Sequence, residues 1–368
     1  MQAIDLFSGC GGISCGLREA GFEVLAGADI EPKYIATFRQ NFPTAKALTT
    51  DLSVQDPMEI LASVGVRRGE LGLLAGGPPC QGFSKNVPRK FRFLEQEQNT
   101  QVLTYLRYVE AWLPHFVMME NVAEMKNGFE QAYSEEVIER LNNLGYQVDY
   151  AVLNSADFGV PQRRRRAFFI GARDGLKPAL PRPTHAKIPT TGGLFGGTPG
   201  HVRVWEAIGD LPSVPHGGGQ DPTEYASEPQ SDFQRRLRGN QVTVRNHIAR
   251  KLQPTQFARL AALKPGQGLK DLPEHLKTKG GYSGAYGRLT EDMVAPTITR
   301  WVFHPGSGRW GHPRDIRVIT IREVARLQAF PDSYVFVGSY NDQAGQLGNA
   351  VPPTIAQAVA TPMTQQLS

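Results

Sequence analysis

Over the first 180 residues, short apolar runs alternate with stretches of helical periodicity, and this restricts the fold more than any other property of the chain. Residues 4–7, 24–28, 71–75, 116–119, 148–153 and 167–170 read as strands; residues 13–20, 33–41, 102–113 and 136–144 read as helices. Parallel strands need a crossover, usually a helix, so the pattern predicts an α/β domain with a mostly parallel, doubly wound sheet. After Arg173 the texture changes. Pro178, Pro181 and Pro183, then the Gly-rich stretch 192–200, break the periodicity until about Ile248. Such punctuation predicts a second, smaller domain of loops and short strands. Helical patterns return at 321–328, behind Thr320 as a candidate N-cap, and from Thr354 to about Ala360. A chain of 368 residues exceeds what one core usually supports. The expected division is therefore 1–180, 181–316, and a segment 317–368 that returns to the first domain.

Charge follows the same division. Residues 181–316 hold 18 Lys and Arg against 11 Asp and Glu, whereas the rest holds 22 against 24. The basic excess thus sits wholly in the second segment, where it suits either a polyanionic partner or a solvated surface. No run of eighteen apolar residues exists, which excludes an apolar helical membrane span, and the N-terminus has no signal-peptide pattern. Cys10, Cys15 and Cys80 are the only cysteines. Their number argues against a disulfide framework, and their spacing against structural zinc; no metal is expected.

Four motifs fall where the first domain's strands end. Asp5-Leu6-Phe7-Ser8-Gly9-Cys10-Gly11-Gly12 runs from a strand through a Gly turn into a helix, letting backbone approach a ligand at the sheet's carboxyl edge. Asp29 ends the next strand, and Asp51 follows a further candidate strand that precedes residues 71–75. An acid at the former can hold two ribose hydroxyls and one at the latter an adenine amine, which suggests an adenosine ligand. The Gly motif alone fits a tight structural turn equally well. Gly76-Gly77-Pro78-Pro79-Cys80-Gln81-Gly82-Phe83-Ser84 follows a buried strand, and its prolines fix the approach to one cysteine. A thiol in so polar and rigid a loop is placed to react, given nearby positive charge. Glu120 closes an apolar strand in Met119-Glu120-Asn121-Val122; a salt bridge or helix cap would explain it equally well. Gln162-Arg163-Arg164-Arg165-Arg166 opens another strand, where alternation predicts Arg164 and Arg166 on one face.

With Arg288-Leu289, Ala295-Pro296-Thr297-Ile298-Thr299 and Gly348-Asn349-Ala350-Val351-Pro352-Pro353, these motifs form an ordered set that resembles the DNA (cytosine-5) methyltransferases, over nearly the whole chain except about 212–285. The resemblance implies a Rossmann-like methyltransferase sheet with a DNA-recognition domain whose variable core is 212–285. It implies Cys80 as nucleophile toward carbon 6 of cytosine, Glu120 on N3 and N4, and Arg164 and Arg166 at the base. For S-adenosylmethionine it implies Phe7, Gly9, Gly11, Gly12, Asp29, Ile30, Asp51, Leu52, Pro79, Asn349, Ala350 and Val351. Asp29 stands where many members carry Glu, so the shorter side chain must reach the ribose from closer backbone. Base flipping is implied too, because the chemistry cannot proceed within the stack.

The further expectations are double-stranded DNA as substrate and a monomeric, bacterial or phage-type stand-alone enzyme in the cytoplasm, bound to the nucleoid through DNA. A cognate restriction endonuclease would act on the same site. Three alternatives fit less of the sequence. An RNA cytosine-5 methyltransferase of related architecture would lack the large insert. A nicotinamide-dependent oxidoreductase leaves Pro78-Pro79-Cys80-Gln81 and the Asn349 motif unexplained. A catalytically dead DNA-binding regulator conflicts with the presence of Cys80, Glu120 and Arg166.

Overall fold

The computed structural model describes residues 1–79, 100–123, 129–190, 197–278, 280 and 284–366, with backbone alone at 129–133. Cys80 lies outside the described residues. The chain divides into two compact units. Unit 1 comprises residues 1–158, 165–183 and 351–368, and unit 2 comprises 159–164 and 184–350.

Unit 1 is built on seven strands: β1 (Gln2–Leu6), β2 (Glu23–Asp29), β3 (Lys46–Thr49), β4 (Leu73–Gly76), β5 (Phe116–Val122), β6 (Gln147–Asn154) and β7 (Arg165–Ala172). They lie in the order β3-β2-β1-β4-β5-β7-β6. The first five are parallel, while β7 runs antiparallel between β5 and β6. The crossovers are helices α1 (Gly12–Glu19), α2 (Pro32–Asn41), α3 (Pro57–Ser63), α4 (Thr100–Trp112) and α5 (Phe129–Asn143). Local chemistry sets their starts. Pro32 and Pro57 occupy first-turn positions that need no amide donor, and the Asp56 carboxylate accepts from the Met58 amide at 2.9 Å.

The core lies between sheet and helices. Tyr105, Tyr108, Val109 and Trp112 of α4 are buried with Leu74, Val117, Met119 and Phe169 of the strands. The Tyr105 hydroxyl donates toward Leu74 O (2.9 Å) and Met118 O (3.2 Å), so α4 grips β4 and β5 where they approach their functional ends. The parallel strands change direction of winding at β1 and β4, the usual ligand crevice of such sheets.

Unit 2 is rich in loops. Its helices α6 (Val204–Ile208), α7 (Asp232–Arg238), α8 (Pro254–Ala261), α9 (Ile321–Leu327) and α10 (Tyr340–Asn349) are short, and its described strands are the two-residue pair β8 (Thr223–Glu224) and β9 (Thr243–Val244). Thr320 caps α9 as its position suggests: the Glu323 amide donates to its Oγ1 (3.2 Å), and its own amide donates to Glu323 Oε2 (2.7 Å). Around α9 sits a buried ionic hub. Arg317 pairs with Glu323 at 2.8 Å, while Arg326 bridges Asp210 (2.7 Å) and Asp332 (2.6 Å). Each buried charge there has an opposite partner, as removal from water requires.

The chain re-enters unit 1 at Val351, so residues 317–350 belong to unit 2 rather than to the returning segment. There α11 (Pro353–Thr364) packs so closely on α1 that a Cβ on Gly16 would lie 2.3 Å from Pro353 O. Among the described residues, no helix is long and apolar enough to cross a membrane.

Candidate functional site

The carboxyl ends of β1 to β5 gather the polar groups of unit 1. After β1 the chain turns sharply. Phe7, Gly9 and Gly11 have φ of 56°, 55° and 93°. A left-handed Phe is uncommon and is held here by its neighbours: Ser8 donates its amide to Ala28 O at 3.0 Å, and Gly11 to Ser8 O at 2.8 Å. The turn is also tied to β2. Asp29 Oδ2 accepts the Gly9 amide and Oδ1 the Glu31 amide, both at 2.9 Å. Burial pushes the Asp29 carboxyl up against the opposing pull of those amides.

Behind the turn, Asp5 is fully buried within β1, and burial pushes its carboxyl up to about 7 despite two bonds from Ser14. The Ser14 amide (3.1 Å) and hydroxyl (2.6 Å) both reach Asp5 Oδ2. Asp5 Oδ1 and Ser8 Oγ are buried without a hydrogen-bond partner among the described residues. Sequence reasoning assigned neither. The available signal was an acid flanked by Ile4 and Leu6 inside a strand. At the end of β3, Asp51 Oδ1 accepts the Ser53 amide (2.9 Å) and hydroxyl (2.7 Å), which hold its carboxyl below the ordinary value. Beside these acids, Ile30 is exposed and Leu52 is buried. Cys10 and Cys15 are buried, and burial pushes both thiols up, so they suit packing rather than nucleophilic attack.

The second group lies where β4 and β5 end. Asn121 donates from Nδ2 to Pro78 O at 3.2 Å, fixing the Gly77-Pro78-Pro79 segment that leads to Cys80. A Cβ on Gly77 would lie 3.3 Å from Glu120 Oε2, so glycine lets this loop pass close to the carboxylate. Val122 of β5 is opposite Arg166 of β7. Two positions back on the same face, Glu120 meets that arginine: Arg166 Nε lies 2.9 Å from Glu120 Oε1, with both side chains largely shielded from solvent.

Arg164 does not share this arrangement. The strand begins at Arg165, and Arg164 belongs to unit 2, where its guanidinium donates to Ile298 O (3.1 Å) and Gly348 O (3.3 Å). The alternation expected from the arginine run therefore stops one residue short, because these carbonyls capture the buried side chain.

Three of the sequence motifs interlock here within unit 2. Gln162 donates to Gln328 Oε1 (2.8 Å) and accepts the Ile298 amide (2.7 Å), and Thr297 donates its hydroxyl to Arg163 O (2.6 Å). Gly348 abuts Thr299 and Arg300 so tightly that a Cβ would lie 2.1 Å from Arg300 N. Asn349 and Ala350 end this unit, and Val351 is buried in unit 1. No cluster able to hold a metal ion occurs among the described residues.

Comparison with known proteins gives consistent results. The family model for C-5 cytosine-specific DNA methylase matches residues 1–365. The chain is 32% identical to the Type II methyltransferase M.AgeI of Thalassovita gelatinovora, covering 98% of each chain. It is 34% identical to the Type II methyltransferase M1.HphI of Haemophilus parahaemolyticus, covering 97% of this chain and 85% of that one. Its fold matches a candidate DNA modification methyltransferase encoded within an E. coli prophage, at a TM-score of 0.77, 24% identity, and coverage of 100% and 99%.

Proposed function

The chain belongs to the C-5 cytosine-specific DNA methylases, and from that premise we propose which of its residues perform the reaction and what they hold. The reaction is methylation of cytosine at carbon 5 in a specific DNA sequence. The family acts on DNA, which sets the RNA reading aside.

We propose S-adenosylmethionine as the methyl source, held at the carboxyl ends of β1, β2 and β3. The donor set there fits it. Asp5 Oδ1 and Ser8 Oγ are buried acceptors with no partner among the described residues, suited to donors on the amino-acid end. Each Asp29 oxygen accepts one backbone amide and keeps acceptor capacity for a ribose hydroxyl. Asp51, Phe7, Ile30 and Leu52 would meet the adenine, and Gly9, Gly11 and Gly12 would let the turn approach. Pro79 and the Asn349–Val351 segment complete the assignment. When bound, the cofactor supplies a methyl group on a sulfonium.

Carbon 5 of cytosine is a poor nucleophile until a thiolate adds to carbon 6. We assign that addition to Cys80, which bonds to C6 and moves the electron pair toward N3, leaving C5 enamine-like. Glu120 would meet the base at N3 and N4, where that charge develops. Arg166 keeps the carboxylate in place and adds fixed positive charge, which also favours the thiolate. After C5 is methylated, a base removes its proton and the C6–S bond breaks, releasing Cys80. Arg164, engaged with carbonyls, acts as a positioning residue. Residues 181–316 would hold the DNA, as a monomer in the bacterial cytoplasm, with a cognate endonuclease as functional partner.

The observation that carries the assignment is the Glu120–Arg166 pair beside the Gly77 loop that leads directly to Cys80. Its test is covalent trapping. Duplex DNA with 5-fluorocytosine at the target should retain the protein, because fluorine cannot leave as a proton. Cys80→Ala should abolish the adduct, and an adduct that persists would overturn the role of Cys80.

A further inference from the structure

The loop 297–307 of unit 2 lies within the segment that would hold the DNA, and it carries an aromatic and cationic surface whose residues have no individual role above. Trp301 is 51% exposed, although it is among the largest apolar side chains in the protein. The Arg300 guanidinium lies 4.9 Å from its ring centroid, and the Phe303 ring is 5.7 Å away. Arg250 lies over Phe303 at 4.7 Å and over Tyr340 at 5.8 Å. Arg250 also donates from Nη1 to Asn341 Oδ1 at 2.8 Å, whereas a guanidinium stacked as Arg300 is on Trp301 keeps N–H edges that can turn outward, and the exposed indole keeps a face for a planar partner.

The loop beneath this surface is rigid. Val302 donates its amide to Thr299 O (3.0 Å) and His304 to Trp301 O (2.9 Å), while the Ser307 hydroxyl also donates to Trp301 O (2.6 Å). Its N-terminal side is clamped by Gln162 and Arg164 and abuts Gly348. The surface is thus tied into unit 2 through Gln162, Arg164 and Gly348. An exposed indole held on a stiff backbone loses little conformational entropy on binding.

We propose that Arg300 and Trp301 contact the DNA substrate and help choose its sequence, Trp301 through an apolar contact to bases of the site and Arg300 through a phosphate. This rests on the DNA-methylating reaction above and extends sequence readout beyond residues 212–285. Charge complementarity selects DNA as the partner, because two guanidiniums border the aromatic surface in the unit that carries the chain's basic excess.

The test uses the full chain and its Trp301→Ala, Trp301→Phe and Arg300→Ala variants. Two duplexes are compared over a salt series, one carrying the sequence that bisulfite sequencing shows the wild type to methylate and one scrambled. Trp301→Ala should bind the site duplex about ten-fold more weakly, typical of a lost aromatic–base contact, with a smaller change on the scrambled one. Trp301→Phe should recover most of that loss. Arg300→Ala should weaken both duplexes and reduce the salt slope by about one. The proposal is overturned if variants with unchanged melting curves keep wild-type affinity, duplex preference and salt slope. Wild-type cytosine methylation is measured in the same preparations, so a failure of the underlying reading registers separately, as loss of the wild-type product.

Discussion

Replacing Asp5 with Asn should remove a large pH dependence from the stability of this protein. Burial raises the Asp5 carboxyl from 3.8 to about 7 in the folded chain, while unfolding returns it to the ordinary value. The folded state therefore binds the proton more tightly. The resulting stabilisation is full below the unfolded value and is lost as pH rises through the folded one. A tenfold difference in proton affinity between the two states corresponds to about 1.4 kcal/mol, so between pH 5 and pH 8 the wild type should lose about 2.5 kcal/mol through this one group.

Asn is neutral throughout. Its carbonyl oxygen can take over the two bonds from Ser14, which both fall on one carboxylate oxygen. Urea unfolding at pH 5 and pH 8 measures the effect, with the difference between variant and wild type cancelling groups common to both. Asp5→Asn should gain about 2.5 kcal/mol relative to wild type between the two pH values. A parallel pH dependence in the two proteins would refute the argument, because it would mean that Asp5 is ionised in both states.

Two further predictions concern unit 2. Arg326→Met should lower stability by about 3–5 kcal/mol in urea unfolding, since it leaves Asp210 and Asp332 buried without their main counter-ion; a loss below about 1 kcal/mol would contradict the description of the hub. Gly348→Ala must displace the Thr299–Arg300 backbone, and should lower the melting temperature and weaken DNA binding together, whereas an unchanged melt would show that the contact is relieved cheaply.

The sequence determined what depends on neighbours along the chain. The alternation of apolar runs with helical patterns implied the parallel part of the sheet, because each strand and crossover carries its own periodicity. Thr320 as an N-cap was legible for the same reason: its partner Glu323 is three residues away. The Gly turn and the acids at 29 and 51 could be placed at strand ends because apolar runs stop there, whereas Glu120, which follows the apolar run 116–119, lies inside β5, because that strand continues to Val122. Their roles came from resemblance to a family, since a carboxylate at a strand end has several chemical uses.

Tertiary structure alone decided which groups meet. Arg164 and Arg166 look equivalent in sequence, yet one takes the carbonyls of Ile298 and Gly348, 134 and 184 residues away, and the other takes Glu120 across an antiparallel pairing. No local pattern encodes that β7 is inserted between β5 and β6, and the pairing of Glu120 with Arg166 depends on it. The same holds for Asp5, Arg317 and Arg326. Composition reads them as ordinary surface charges, and only the packing of distant segments around them fixes their burial, their partners and the proton affinity of Asp5.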